Sequence, residues 1–438
     1  MKIYRTSLNT EEKWKEIGHD PLASGKDGTI AVDHLMQLQE IIGFGGAFTE
    51  SSSYNLSRVN QLVRRQAIAC YFDPEKGLGY TIGRVSIHGC DFSLSSYLYI
   101  KDHDDSLASF DISRDEPTLM LIKDAGSIAK KDISLLASPW TPPYWMKTNY
   151  SPIHGGHLMP EYYQVWANYF VKFIKSYRKK GLRVDYVTVQ NEPEASQRWD
   201  SCLFTPKEER DFAGVLGETF EENDLSDVKI LICDHNRDIM VKRADVVYSD
   251  ANTSRYVWGT AFHWYDNEVF ENVAIHKSKY PDKHLFFTEG CQENGPHFGD
   301  LAVGERYGRN MINDFRNGNE GFLDWNLYLD DTGGPNHVNN LCSAPIILKI
   351  FAEEIELMPA YYYIGHFSRY VKPGARVLET SGTETVWHVA FMNPNGEIVV
   401  IIQNEAESEK DINVLVGSHK ENVKLLPHSI ITAIFPAK

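Results

Sequence analysis

Two glutamates sit where a polypeptide could do chemistry. Glu192 lies near the end of residues 184–193, VDYVTVQNEP, in which Val184, Tyr186, Val187 and Val189 are β-branched or aromatic. That texture reads as a strand buried in a parallel sheet. Pro193 cannot donate to a ladder and biases Glu192 toward an extended conformation, so the carboxylate is expected at the carboxyl end of the strand. Glu289 ends a second apolar run, HLFFTEG at 284–290, in the same way. A lone Asn-Glu-Pro would more simply cap the next element; the second carboxylate is what raises the catalytic reading. Two carboxylates at strand ends of one barrel are the equipment of retaining glycoside hydrolysis. One protonates the departing oxygen and later activates water, while the other attacks the anomeric carbon.

Eight strand signals must position them. They are IIGFGGAF from Ile41, YTIGRVSIHGCDFS (80–93), ISLLASPW (133–140), VDYVTVQNEP, VKILICDHN (228–236), YVWGTAFHWY (256–265), HLFFTEG and GFLDWNLYLD (321–330). Helical patterns lie between most of them. Leu62, Ala67, Ile68 and Tyr71 space a helix that ends before Asp73-Pro74. Tyr163, Trp166, Tyr169, Phe170, Phe173 and Tyr177 recur at three and four residues until Gly181, a core-facing stripe. Strands alternating with helices over roughly 300 residues describe an α/β protein, a (β/α)₈ TIM barrel. Arg84, inside the second strand, needs a buried partner, and the barrel carboxylates are the candidates. Beyond Tyr363 the texture becomes short alternating strands with an Asn395-Gly396 hairpin turn and no helical period from Arg376 onward. The expected division is a side β-sandwich from both termini, residues 1–40 and 366–438, around a barrel at 41–365.

Composition bounds the partners. The 438 residues are 42% hydrophobic and 24% charged, ordinary for a globular protein with a large core. A net charge of −16 argues against a nucleic-acid backbone or an anionic membrane as the main partner. No apolar run approaches the ~20 residues of a membrane span, and the first residues carry no secretory h-region. Six cysteines scattered singly, without C-x-x-C, favour free thiols and a reducing cytoplasm. The sixteen histidines have no metal-site spacing, so neither metal nor cofactor is expected.

Taken together, GFGGAFTE, RVSIHGCDFS, LLASPWTPPYWMKTN, VTVQNEP, FHWY, FTEGC, DWNLYLDDTGGPNHVNN and YYYIGHFSRYVKPG resemble, in order and over nearly the whole chain, glycoside hydrolase family 30 and its glucosylceramidase-type branch. The resemblance implies a double-displacement β-glycosidase with Glu192 as acid/base and Glu289 as nucleophile. Glu192 would carry a proton near neutral pH and ionise once Glu289 is esterified. The resemblance gives Asn191 to the sugar 2-hydroxyl, Asp91, Trp140 and Trp325 to the glycone, and Asn340 to the rim. Tyr265 could bond Glu289 or line the aglycone side, and His263 could equally be a satisfied core histidine. The implied substrate is a β-linked glucoside or a β-xyloside; a β-1,6-glucanase and a carbohydrate-binding protein without catalysis are the alternatives. Two departures are visible. His337 stands where the animal enzymes carry a tryptophan, and no cysteine precedes Cys70, whereas the secreted enzymes have N-terminal disulfides.

Overall fold

The structure, a computed structural model, describes residues 1–18 and 23–437; residues 19–22, within the expected N-terminal module, and 438 lie outside the described residues. Eight parallel strands close a barrel: β1 (Gly43–Ala47), β2 (Ile82–Ile87), β3 (Ser134–Pro139), β4 (Arg183–Thr188), β5 (Lys229–Asn236), β6 (Val257–His263), β7 (His284–Glu289) and β8 (Gly321–Asn326), with β8 pairing back onto β1. The barrel interior is filled in layers, as its radius requires. One layer is Ile82, Leu136, Tyr186, Leu231, Ala261, Phe286 and Leu323, all packed in one cluster. The first strand gives glycine instead, because a Cβ on Gly45 would lie 1.9 Å from the Ile82 carbonyl oxygen.

Strand side chains alternate, so the next inward layer is two residues further on. It reads Arg84, Ser138, Thr188, His263, Thr288 and Trp325, and the interior turns polar within a single step. The barrel is therefore apolar below and chemically equipped above, at the carboxyl ends of its strands.

The outer helices form as the spacing predicts. Gln61–Phe72 ends at Asp73, although Val63 is the buried residue and Leu62 is 67% exposed. Tyr163–Lys179 buries Trp166, Tyr169, Phe170, Phe173 and Tyr177, with Gly181 at φ +81° just beyond it. The expected single strand at 321–330 is instead two: β8, then Tyr328–Asp330, which leaves the barrel for a three-stranded sheet with Ile346–Lys349 and Glu354–Leu357. Both termini build one nine-stranded sheet. In it Lys2–Ser7 pairs antiparallel with Ser429–Phe435, and Gly28–Glu40 lies between Lys410–Val416 and Arg376–Gly382. Ile3, Ile30, Val400, Ile412 and Ile431 pack into one core, which makes the sheet a sandwich.

Candidate active site

Glu192 and Glu289 come together. Their nearest carboxylate oxygens, with a ring nitrogen of His263, lie within 4.8 Å of one another. Neither glutamate is placed by simple alternation. At β7 the inward residue is Thr288, and a register irregularity between Phe287 and Glu289 against β6 turns the next side chain to the cavity as well. Beyond β4, Glu192 adopts φ +48°, not the extended conformation expected before proline. Its N–H donates to the Asp234 carbonyl at 2.9 Å, and the Asn191 N–H to the Pro139 carbonyl at 2.9 Å. The turn is thus pinned between β3 and β5, and those two bonds override the local bias.

Arg84 organises the floor. Its guanidinium bonds Glu289 Oε2, donates from Nη2 to Asp234 Oδ2 at 2.8 Å and Asn191 Oδ1 at 2.9 Å, and from Nε to Ser138 Oγ at 3.2 Å. Asp234 in turn accepts from Thr188 Oγ1 at 2.7 Å and Thr288 Oγ1 at 2.6 Å, and lies 3.0 Å from His263 Nε2. Burial would raise the Asp234 carboxyl, but the Arg84 charge and these donors hold it well below the usual range. Asp234 is the central residue that sequence reasoning missed. Leu231 faces inward, so alternation points to Cys233; β5 bulges between Cys233 and His235, both Cys233 and Asp234 have positive φ, and Asp234 turns inward instead.

His263 bridges Asp234 and Glu192, with Nδ1 at 3.3 Å from Glu192 Oε1. It is fully buried, which disfavours its charge, yet Glu289, Asp234 and Glu192 raise its pKa to about 9. Burial is the largest influence on Glu192 and pushes it up, but the hydrogen bond from His263 together with the His235 and His263 charges draws the carboxyl below its ordinary value. Glu289 ends above its ordinary 4.5, since burial and the charges of Glu192 and Asp234 outweigh His263 and Arg84. The proton that sequence reasoning gives to Glu192 therefore rests on His263, one hydrogen bond away. These three groups are close enough to hold a cation. However, both nitrogens of a charged His263 are committed to carboxylates and Arg84 already occupies Glu289, so the set suits proton transfer better.

Tyr265 O–H donates to Glu289 Oε1 at 3.0 Å, and burial keeps the phenol protonated. Asn236 positions it with two hydrogen bonds to its backbone, at 3.0 and 3.1 Å. Trp140 and Trp325 stack at 5.3 Å and form an apolar wall over the Arg84 guanidinium. Asp91 accepts from Asn340 Nδ2 at 3.0 Å, while its Oδ1 has no hydrogen-bond partner among the described residues. Burial and the Glu289 charge push Asp91 up to about 8. His337 accepts no role at the floor; its Nδ1 lies 2.9 Å from the Ser93 carbonyl and ties the 332–342 loop to the second βα loop.

Asp91, Trp140, Asn191, Glu192, Tyr265, Glu289, Trp325 and Asn340 all line one cavity of about 210 Å³, with His263 beneath it. A larger cleft of about 970 Å³ opens at the opposite end of the barrel, around Trp258, His284 and Glu320. Size does not mark the site here, because barrel chemistry is placed at the carboxyl ends of the strands. Trp258 stacks on His284 at 3.9 Å, a packing role.

The family model of the glycosyl hydrolase family 30 TIM-barrel domain matches residues 41–371, and that of the family's beta sandwich domain matches residues 374–433. The lysosomal acid glucosylceramidase of Mus musculus is 34% identical over 425 residues, covering 91% of this chain and 82% of that one. Among solved structures, SrfJ from Salmonella typhimurium superposes with a TM-score of 0.94 at 34% identity, over 100% of this chain and 99% of that one. The endo-β-1,6-glucanase BT3312 follows with a TM-score of 0.90 at 29% identity, over 100% and 99%.

Proposed function

This chain belongs to glycosyl hydrolase family 30 and is an O-glycosyl hydrolase, and from that premise we propose that it is a retaining β-glycosidase releasing a single terminal glucose. In this reading Glu289 is the nucleophile and Glu192 the acid/base. The observation that carries it is the separation of the two carboxylates, within 4.8 Å between nearest oxygens. Retaining enzymes keep the pair about 5–5.5 Å apart, and inverting ones need about 6.5 Å or more to admit a water between them.

The polarity of the pair follows from what touches each member. Glu289 is held by Arg84 on one oxygen and by Tyr265 on the other, two donors that stabilise and aim a carboxylate. Glu192 has a proton source at its side. His263 Nδ1–H hands its proton to Glu192 across the 3.3 Å contact and Glu192 passes it to the departing glycosidic oxygen, which leaves His263 neutral and Glu192 ionised. Asp234 stabilises the imidazole throughout. Attack by Glu289 forms the glycosyl ester and removes its charge. Glu192 then takes a proton from water, which attacks the same carbon and restores the carboxylate. Asn191, fixed by Arg84, faces the 2-hydroxyl, and Asp91 Oδ1 is free to bond a further hydroxyl.

A pH profile follows from these directions. Glu289 must be ionised, and its carboxyl lies above 4.5, so kcat/KM should fall as pH drops through a value higher than that. The site's proton is held up to about 9, so activity should fall as pH rises through that region. Removing the imidazole in His263→Asn should move the alkaline limb to lower pH; an unmoved limb would remove His263 from the proton path.

A cavity of about 210 Å³ is small even beside ordinary small-molecule sites, which supports a one-ring glycone and exo action. The similarity to an endo-β-1,6-glucanase over the whole chain favours a second reading, a β-1,6-glucanase. A panel of p-nitrophenyl β-glycosides beside linear β-1,6-glucan tests both. Turnover of the β-glucoside with glucose as the sole sugar product is the expected result. Cleavage of the glucan into oligosaccharides, with no turnover of aryl glucosides, would transfer the assignment to the second reading.

A further inference from the structure

Two cysteines that the chemistry above does not use meet at the wall of the same cavity. Cys291 follows the Glu289-Gly290 turn, and Cys342 ends the 332–342 loop that carries Asn340. Glu293 and Cys342 form an antiparallel bridge, reinforced by Ser343 N–H to the Gln292 carbonyl at 2.7 Å and Gly295 N–H to the Leu341 carbonyl at 3.0 Å. Cys291, two residues before Glu293, is the diagonal neighbour of Cys342 across that bridge, a position from which side chains reach one another. Both thiols are free, and both belong to one buried cluster that lines the cavity.

We propose that Cys291 and Cys342 are a modification site: a dithiol that a hydroperoxide converts to a disulfide, reversibly shutting the glycosidase site. The readout in activity rests on the proposed function; the bond itself does not. In the first step the sulfur of one cysteine attacks a peroxide oxygen and the O–O bond breaks. The departing hydroxide takes the thiol proton as water and leaves a sulfenic acid. The second sulfur then attacks the sulfenic sulfur, the S–O bond breaks and a second water leaves. The two thiols lose two electrons and the peroxide gains them, in the sum P(SH)₂ + H₂O₂ → P(S–S) + 2 H₂O. The oxidant reaches the pair through a cavity of about 210 Å³ and both thiols are nearly buried, so a molecule as small as hydrogen peroxide fits the access. The nearby Cys342 and burial hold the Cys291 thiol protonated, which makes the reaction slow and confines it to oxidising conditions.

The consequence follows from what each sulfur touches. Tyr265 O–H lies 3.4 Å from Cys291 Sγ while donating to Glu289. Cys342 Sγ lies 3.8 Å from the carbonyl of Asn340, whose side chain holds Asp91. Drawing the sulfurs to about 2.05 Å pulls on the partner of the nucleophile and on the glycone's anchor together. A displacement of about 1 Å in such supports can cost on the order of 10²-fold in rate.

The test is to treat the full chain with hydrogen peroxide, alkylate the remaining free thiols, and map peptides alongside turnover of an aryl β-glycoside. The expected result is a peptide pair joined through Cys291 and Cys342, a loss of roughly tenfold or more in kcat, and recovery on adding dithiothreitol. In Cys342→Ala the dithiothreitol-reversible part of the loss, measured against that variant's own starting activity, should vanish. Should that variant fail to fold, the wild-type map decides alone. Both thiols remaining alkylatable at doses that oxidise exposed methionines would overturn the proposal, as would a joined peptide with unchanged kcat. If no glycoside is turned over but the joined peptide appears, the function reading fails and the modification site stands.

Discussion

Glu289→Gln should abolish turnover, by on the order of 10⁴-fold or more, without loss of the fold. The amide has the shape of the carboxylate but cannot form a glycosyl ester, so the first chemical step has no nucleophile. Arg84 would lose one contact and keep Asp234, Asn191 and Ser138. Stability should move the other way. Because the folded protein raises the Glu289 pKa, its ionised form destabilises the fold, and this cost is present at any pH above that folded pKa. Removing the charge removes the cost, so the variant should melt at or above the wild-type temperature at pH 7. Thermal denaturation beside kinetics checks both halves, and a variant that is inactive because it is unfolded would not support the assignment.

The second large effect is at the other carboxylate. Glu192→Gln should lose about 10²–10⁴-fold on glycosides with poor leaving groups, which need a proton to depart. An activated aryl glycoside needs none, so glycosylation of Glu289 should proceed and the ester should accumulate for want of a base. Azide is already a nucleophile without general-base help, so adding it should restore turnover and yield the β-glycosyl azide, with configuration retained. An α-glycosyl azide would mean a single displacement and would contradict the double-displacement account. No rescue on an activated substrate would mean that Glu192 does something other than proton transfer.

How far a sequence carries such an account depends on which bonds a local pattern can express. The barrel strands are mostly buried, and continuous apolar runs such as HLFFTEG announce them. The carboxylates stand out because a charge at the end of such a run has no reason in packing. Lys2–Ser7 and Glu12–Ile17 are harder to recognise, since the second of them has no buried residue and is defined by pairing to the first. Asp234 is hidden for a sharper reason. A single extra residue in β5 changes which side chain faces inward, and nothing in VKILICDHN marks a bulge. Glu192 is similar: two long-range backbone bonds decide a φ that Pro193 suggests differently. Arg84 shows the converse, because an arginine in a buried strand demands a carboxylate and two are found, Glu289 and Asp234. Residues that act on their own were legible, and residues that act through a tertiary irregularity were not.

The most direct measurement is covalent labelling with a cyclitol epoxide followed by peptide mapping. The reagent places an electrophilic carbon where the anomeric centre would lie, and only a nucleophile aimed by donors such as Arg84 and Tyr265 opens it. Stoichiometric ester formation at Glu289, absent in Glu289→Gln, is the expected result. Label on Glu192, or on neither carboxylate in an enzyme that still cleaves β-glucosides, would contradict the assignment of the pair.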